Sequence, residues 1–224
     1  MLNLLFPKRL ALCFHSIDNM NYRFSISKGE FESFINWLCK SGYSFLLAKD
    51  FAGYSGRKKV CTITFDDGCK SILLIKKFLN SRNLPYTLFI STGFVNKGMS
   101  SFLSTEDIKD MSKRKNVEIG SHSESHCDLT SIYDVDLKNE LLESKLNLSE
   151  LIGRDVVSFA YPFGSFNDSI IKEVRRHYKN AFSVYKSKKC DYTFSIPRMD
   201  INSTNINNYV LFLKDMCRYL YAKY

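Results

Sequence analysis

Two adjacent carboxylates, Asp66 and Asp67, stand between an apolar, β-branched run (Val60-Cys61-Thr62-Ile63-Thr64-Phe65) and Gly68. The run reads as a buried strand and the glycine as the start of a turn. In α/β folds, ligands and catalytic groups collect at strand ends. Neighbouring carboxylates held there can divide two tasks, one binding a metal and the other handling a proton. Asp-Asp-Gly after a strand is also ordinary turn chemistry, so this segment alone leaves both readings open.

Two of the four histidines, His122 and His126, lie four residues apart in Gly120-Ser121-His122-Ser123-Glu124-Ser125-His126, after the short apolar stretch Val117-Glu118-Ile119. Imidazole ligates zinc and its neighbours, and an i,i+4 pair converges if the segment makes a helical turn. Two histidines and one aspartate form a three-ligand site with a position open for water, the mark of a catalytic rather than a structural metal. The alternative is a polar Ser/His loop with no metal. A third segment, Phe159-Ala160-Tyr161-Pro162-Phe163-Gly164, ends a strand expected over Val156–Ala160. By itself it reads as a strand-ending turn.

In this order and context the three segments resemble the polysaccharide deacetylases of the NodB-homology type, carbohydrate esterase family 4. Thr64–Gly68 matches that family's Thr-Phe-Asp-Asp-Gly motif, and His122 and His126 match its His-Ser/Thr-x-x-His motif. Tyr161–Gly164 matches the Pro-x-Gly part of its third motif, and the likeness runs from about Leu10 to Met199. The resemblance implies Asp66 as the general base that activates the attacking water. It implies Asp67, His122 and His126 as ligands of one divalent ion, Zn2+ first, with Co2+ or Ni2+ as alternatives. It implies the backbone N–H of Phe163 as an oxyanion donor, within a substrate- and oxyanion-binding segment of Tyr161, Pro162, Phe163 and Gly164. The chemistry is coherent: a metal polarises a poor amide electrophile, a carboxylate takes the proton of water, and donors meet the developing oxyanion.

The chain departs from the pattern twice. The family's third motif often begins with an arginine two residues before the proline, where this chain has Ala160. Arg198, in Ile196-Pro197-Arg198-Met199-Asp200, is a replacement partner for Asp66 or a surface arginine. The family's late Leu-x-His acid is also missing, since no histidine follows His177. His15, ending a strand expected over Leu10–Ser16, resembles the early Tyr-His stretch of the poly-N-acetylglucosamine deacetylase-like subgroup. The resemblance implies it as the general acid; a buried structural histidine is the alternative.

These residues need elements to position them. Strands are expected over Leu84–Ser91, Ala181–Tyr185 and Tyr192–Ile196 in addition to those above, alternating with helices. The first helix starts at the capping box Ser27-x-x-Glu30, with Phe31, Phe34, Ile35 and Leu38 on its apolar face. Others are expected over Ser71–Ser81, Thr105–Lys113, Asp134–Ile152 (with Gly153 as C-cap), Asn167–Tyr178 and Asn207–Tyr221. Ser91–Ser104 reads as the longest loop, one that would line a substrate groove. Alternating strand–helix units argue for a parallel sheet, open or closed. The resemblance implies an α/β fold, a distorted, incomplete (β/α) barrel of the NodB-homology type.

With 224 residues, 45% of them hydrophobic, and no linker or repeat, the chain reads as a single catalytic domain over 1–224. The net charge of +9 comes from scattered runs (Arg57-Lys58-Lys59, Lys113-Arg114-Lys115, Arg175-Arg176, Lys186-Ser187-Lys188-Lys189) without a groove-reading motif. That excludes a nucleic-acid partner and fits solvated surface, with peripheral contact to an anionic membrane as the next option. Seven cysteines without a CxxC pair fit reduced thiols. No signal peptide or bilayer-spanning segment is recognisable, so the expected location is cytoplasmic or membrane-peripheral. The expected function is metal-dependent hydrolysis of the N-acetyl group of an N-acetylated amino sugar in a glycan or glycan precursor. The alternatives are a deacylase or deformylase of a non-polymeric amide, or an inactive sugar-binding relative. Oligomeric state is left open.

Overall fold

The computed structural model describes residues 7–19, 23–184 and 193–207. In chain order the elements are β1 (Arg9–Phe14), β2 (Ser16–Ile17), β3 (Ser25–Ile26), α1 (Lys28–Lys40), β4 (Ser44–Phe45), α2 (Ala48–Ala52) and β5 (Val60–Phe65). Next come α3 (Leu73–Ser81), β6 (Tyr86–Ile90), α4 (Thr92–Asn96), α5 (Thr105–Ser112), β7 (Val117–Ser121) and α6 (Asp134–Ile152). The last are β8 (Ser158–Ala160), α7 (Asp168–His177), β9 (Asn180–Ser183), β10 (Ile196–Pro197), β11 (Met199–Asp200) and α8 (Ser203–Ile206).

The main sheet is parallel, in the order β10-β9-β8-β7-β6-β5-β1-β11, with β4 also pairing β5. Its two ends are consecutive pieces of one segment. β10 pairs β9 through Ile196 and Phe182, while β11 pairs β1 through Met199 and Leu12. The segment changes partner at Arg198, whose N–H donates to Ser183 O at 2.8 Å. The sheet is thereby closed almost fully into a barrel, with Arg198 at the seam.

Strand alternation sorts the side chains into two cores. Leu10, Leu12 and Phe14 of β1, Cys61, Ile63 and Phe65 of β5, and Tyr86, Leu88 and Ile90 of β6 face outward. They pack with Phe31, Ile35 and Leu38 of α1 and Ile75 and Phe78 of α3. Ala11, Val60, Phe89, Ala160, Phe182 and Ile196 form the inner cluster with Ala48 and Phe51 of α2. α2 closes the end of the barrel where the strands begin. Arg9 holds Phe51 O at 2.7 Å, and buried Glu118 accepts from the N–H of Lys49 at 3.0 Å. The strand C-terminal ends are left to build a site.

The capping box at Ser27 and Glu30 forms, and Gly153 ends α6 in a left-handed conformation. Three expectations are corrected. Ser91–Ser104 is not a continuous loop, because α4 forms within it. The first N–H groups of α4 are satisfied by backbone carbonyls of the histidine loop, Thr92 N to Ser123 O and Gly93 N to Glu124 O. No local cap announces such a helix. α2, likewise absent from the sequence reading, starts on Thr87 Oγ1 and Glu118 in the same way. The last strand pairing lies further along than Tyr192–Ile196, in β10 and β11. The helix expected over Asn207–Tyr221 and the Lys186–Lys189 run lie outside the described residues, apart from Asn207. Among the described residues, no helix is long and apolar enough to cross a membrane.

Candidate active site

β5 ends at Phe65, and the Asp66 N–H donates to Phe14 O at 2.9 Å, continuing the ladder to β1. Asp66 shares the inner face with Thr62 and Thr64 and is 2% exposed. Asp67 then adopts φ 67, which turns the chain into Gly68. His122 follows β7 on the face of Glu118 and Gly120, and its N–H donates to Ile90 O at 2.9 Å. Ser123 and His126 have φ 64 and 59, with the His126 N–H on Ser123 Oγ at 3.1 Å. The described non-glycine residues with positive φ are Asp67, Asn83, Ser123, His126 and Phe163. All but Asn83 belong to this site, where strained backbone commonly gathers.

The sharp turns bring three donors together. Asp67 Oδ1 lies 3.4 Å from His122 Nε2 and 3.1 Å from His126 Nε2. It is a buried oxygen without a hydrogen-bond partner. Ligands ~2.1 Å from one tetrahedral cation stand about 3.4 Å apart, so the spacing fits a shared divalent ion. His122 Nδ1 contacts Ala160 O at 2.8 Å, which assigns the proton to Nδ1 and turns the Nε2 lone pair toward Asp67. Burial pushes the Asp67 carboxyl up, but the adjacent His122 and His126 rings outweigh it and hold it well below the carboxylate range. Cys127, next in the chain, packs instead against the outer core.

Beside this triad, Asp66 is clamped by Arg198. Nη1 meets Oδ1 and Nη2 meets Oδ2, both at 2.6 Å. Arg198 is 3% exposed, bonds Thr64 Oγ1 at 2.9 Å and lies over the Phe89 ring. Burial raises the Asp66 carboxyl, yet Arg198 and then His122 hold it below its ordinary value. It stays ionised at neutral pH with Oδ2 3.9 Å from His122 Nε2. The structure thus brings Arg198 to the inner face rather than the surface.

His15 stands just past β1, two residues beyond Cys13, which the β1–β11 register pairs with Asp200, and its Nδ1 lies 3.7 Å from Asp200 Oδ1. Asp200 was not among the sequence candidates. Its only signal was position, two residues after Arg198 and so on the same strand face. Cys13, two residues before His15, was missed for the same reason; its thiol donates to Asp66 Oδ2 at 3.3 Å. Pro162–Gly164 forms a 3-10 turn with Phe163 at φ 57. The Phe163 ring is 54% exposed, with its centroid 4.8 Å from that of His126. The Tyr161 side chain does not join the cluster; it is buried among Phe159 and Phe166, with its hydroxyl on Phe194 O.

A family model described as polysaccharide deacetylase matches residues 53–182, more than half of the chain. The chain belongs to the polysaccharide deacetylase family, a family of hydrolases. The matched interval contains Asp66, Asp67, His122, His126 and Tyr161–Gly164, and it stops short of His15 and Arg198. A Staphylococcus aureus poly-β-1,6-N-acetyl-D-glucosamine N-deacetylase is 25% identical over 204 residues, covering 75% of this chain and 68% of that protein. A polysaccharide deacetylase from Bacillus cereus superposes with a TM-score of 0.79 at 24% identity, over 93% of this chain and 68% of its own. IcaB from Ammonifex degensii does so with 0.75 at 20% identity, over 92% and 97%. These solved structures share the fold, the NodB-type barrel of the family.

Proposed function

We propose that this chain hydrolyses the N-acetyl group of an N-acetylated amino sugar, giving acetate and a free amine, with a zinc ion held by Asp67, His122 and His126. One observation carries the reading: a buried, ion-paired carboxylate, Asp66, stands beside three converging donors, of which Asp67 Oδ1 is buried without a hydrogen-bond partner. A divalent cation held there would polarise the substrate carbonyl and make water more acidic. Asp66 accepts a proton from the attacking water, and Arg198 keeps its carboxylate ionised and fixed in orientation. The Phe163 N–H donates to the oxyanion, and the exposed Phe163 ring offers a flat apolar face to a pyranose. His15 delivers a proton to the leaving amine, with Asp200 orienting its ring.

The substrate class follows the Staphylococcus aureus relative, named for poly-β-1,6-N-acetyl-D-glucosamine. We take a β-1,6-linked N-acetylglucosamine chain or its precursor as the substrate and residues 1–224 as one catalytic domain. The free state of Cys13, Cys39, Cys61, Cys69 and Cys127 supports a reducing, cytoplasmic or membrane-peripheral setting.

The test is acetate release from a panel of N-acetylhexosamine oligomers, with metal content measured on the same protein. Asp66→Asn and His126→Ala are each expected to abolish turnover, the former by about 10²–10⁴-fold at unchanged metal content. Full activity in either variant refutes the assignment. His15→Ala is expected to lower turnover more than it lowers metal content; an unchanged rate moves the acid role elsewhere. Formate released in preference to acetate would redirect the substrate class.

A further inference from the structure

A second group of donors lies on the other side of Asp66. Cys13 Sγ, a His15 ring nitrogen and an Asp200 carboxylate oxygen all lie within 4.8 Å of one another. The seam of the barrel creates the group, since Cys13 pairs directly with Asp200 in the β1–β11 register. His15 Nδ1 and Asp200 Oδ1 are both buried atoms without a hydrogen-bond partner, 3.7 Å apart. That spacing is close to the ~3.4 Å separation of two ligands on one tetrahedral ion. The His15 and Asp200 side chains are 17% and 30% exposed, so an ion has a way in from the strand ends.

We propose that Cys13, His15 and Asp200 form a second, inhibitory site for a soft divalent ion such as Zn2+ or Cd2+. Thiolate, imidazole and carboxylate together select such ions over Mg2+ or Ca2+. The charge balances. The ion enters with two positive charges, the Cys13 thiol releases its proton to solvent on coordination, and Asp200 supplies the second negative charge. Arg198 does not oppose this, because Asp66 already engages both of its terminal nitrogens. On His15 the ion and the Nδ1 proton compete for one lone pair. A ring that holds the ion at Nδ1 cannot become imidazolium, so it has no proton to spare for the leaving amine. Binding at this site does not depend on the function proposed above; its effect on turnover rests on His15 being the proton donor.

The experiment uses the full chain carrying one equivalent of zinc, titrated with Zn2+ or Cd2+. Three readouts are followed: metal stoichiometry, acetate release and the ultraviolet thiolate-to-cadmium charge-transfer band. A second equivalent is expected to bind, with the band appearing and turnover falling together. Cys13→Ser is expected to remove the band and raise the inhibitory concentration by at least about tenfold. Asp200→Asn, which leaves the thiol in place, is expected to weaken the second equivalent while the band can still be reached. Asp67→Asn separates this proposal from the catalytic reading, since it is expected to lose the first equivalent and keep the band. A stoichiometry that stays at one with no band overturns the proposal. So does a band that persists in Cys13→Ser, which would assign it to another thiol.

Discussion

Asp66 and Asp67 are neighbours in the chain with opposite surroundings. Asp67 turns outward through a left-handed backbone toward two imidazoles, while Asp66 continues the strand face and meets Arg198. The pairing explains how a carboxylate that is 2% exposed remains charged. Removing one partner of a buried ion pair leaves the other uncompensated, at a cost of about 3–5 kcal/mol. Arg198→Met is therefore expected to lower stability by that order and to depress turnover, as read by urea unfolding and acetate release. Arg198→Lys keeps the charge but loses the two-pronged geometry, so it is expected to recover stability more than turnover. Equal recovery of both would count against an orienting role for the guanidinium.

The elements carrying the site are held by each other more than by their own caps. α4 has no side-chain cap and begins on carbonyls of the loop that carries His126. The approach is close: a Cβ on Gly93 would lie 2.7 Å from Glu124 O, a backbone atom. Glu124 also reaches back to Thr92 and Asn96 of the same helix. Gly93→Ala is expected to push the two segments apart, costing about 1–3 kcal/mol. Because His126 rides on the displaced loop, weaker metal binding at retained fold is the specific expectation, checked by competition with a chelator. Unchanged affinity would mean that α4 and the histidine loop move independently.

At the scale of the whole molecule, α1 and α8, far apart in the sequence, meet. Glu30 caps α1 through Ser27 and accepts from Ser203 of α8 at 2.7 Å and from Asn207. Burial raises its carboxyl, but Ser27, Ser203 and Asn207 outweigh that and lower it from 4.5 to about 2. A depressed carboxyl stabilises the fold above its unfolded value and loses that contribution as pH falls through the folded one. Glu30→Gln is thus expected to lower the urea midpoint at pH 6, and the gap to the parent chain should narrow by pH 3. A gap of constant size would assign the effect to the lost cap rather than to the charge. The same closure, made at the barrel seam, brings Cys13, His15, Arg198 and Asp200 around Asp66. The sequence by itself determined the parts whose signals are local: Thr64–Gly68, the His122–His126 spacing, the Ser27 cap and the strand–helix alternation. It could name Arg198 and His15 only as options, and it was silent on Asp200, Cys13, α2 and α4. Each of these is decided by a neighbour more than 30 residues away or by a strand register. A one-residue slip of β11 against β1 would turn Arg198 and Asp200 to the other face, and only the closed sheet excludes that slip.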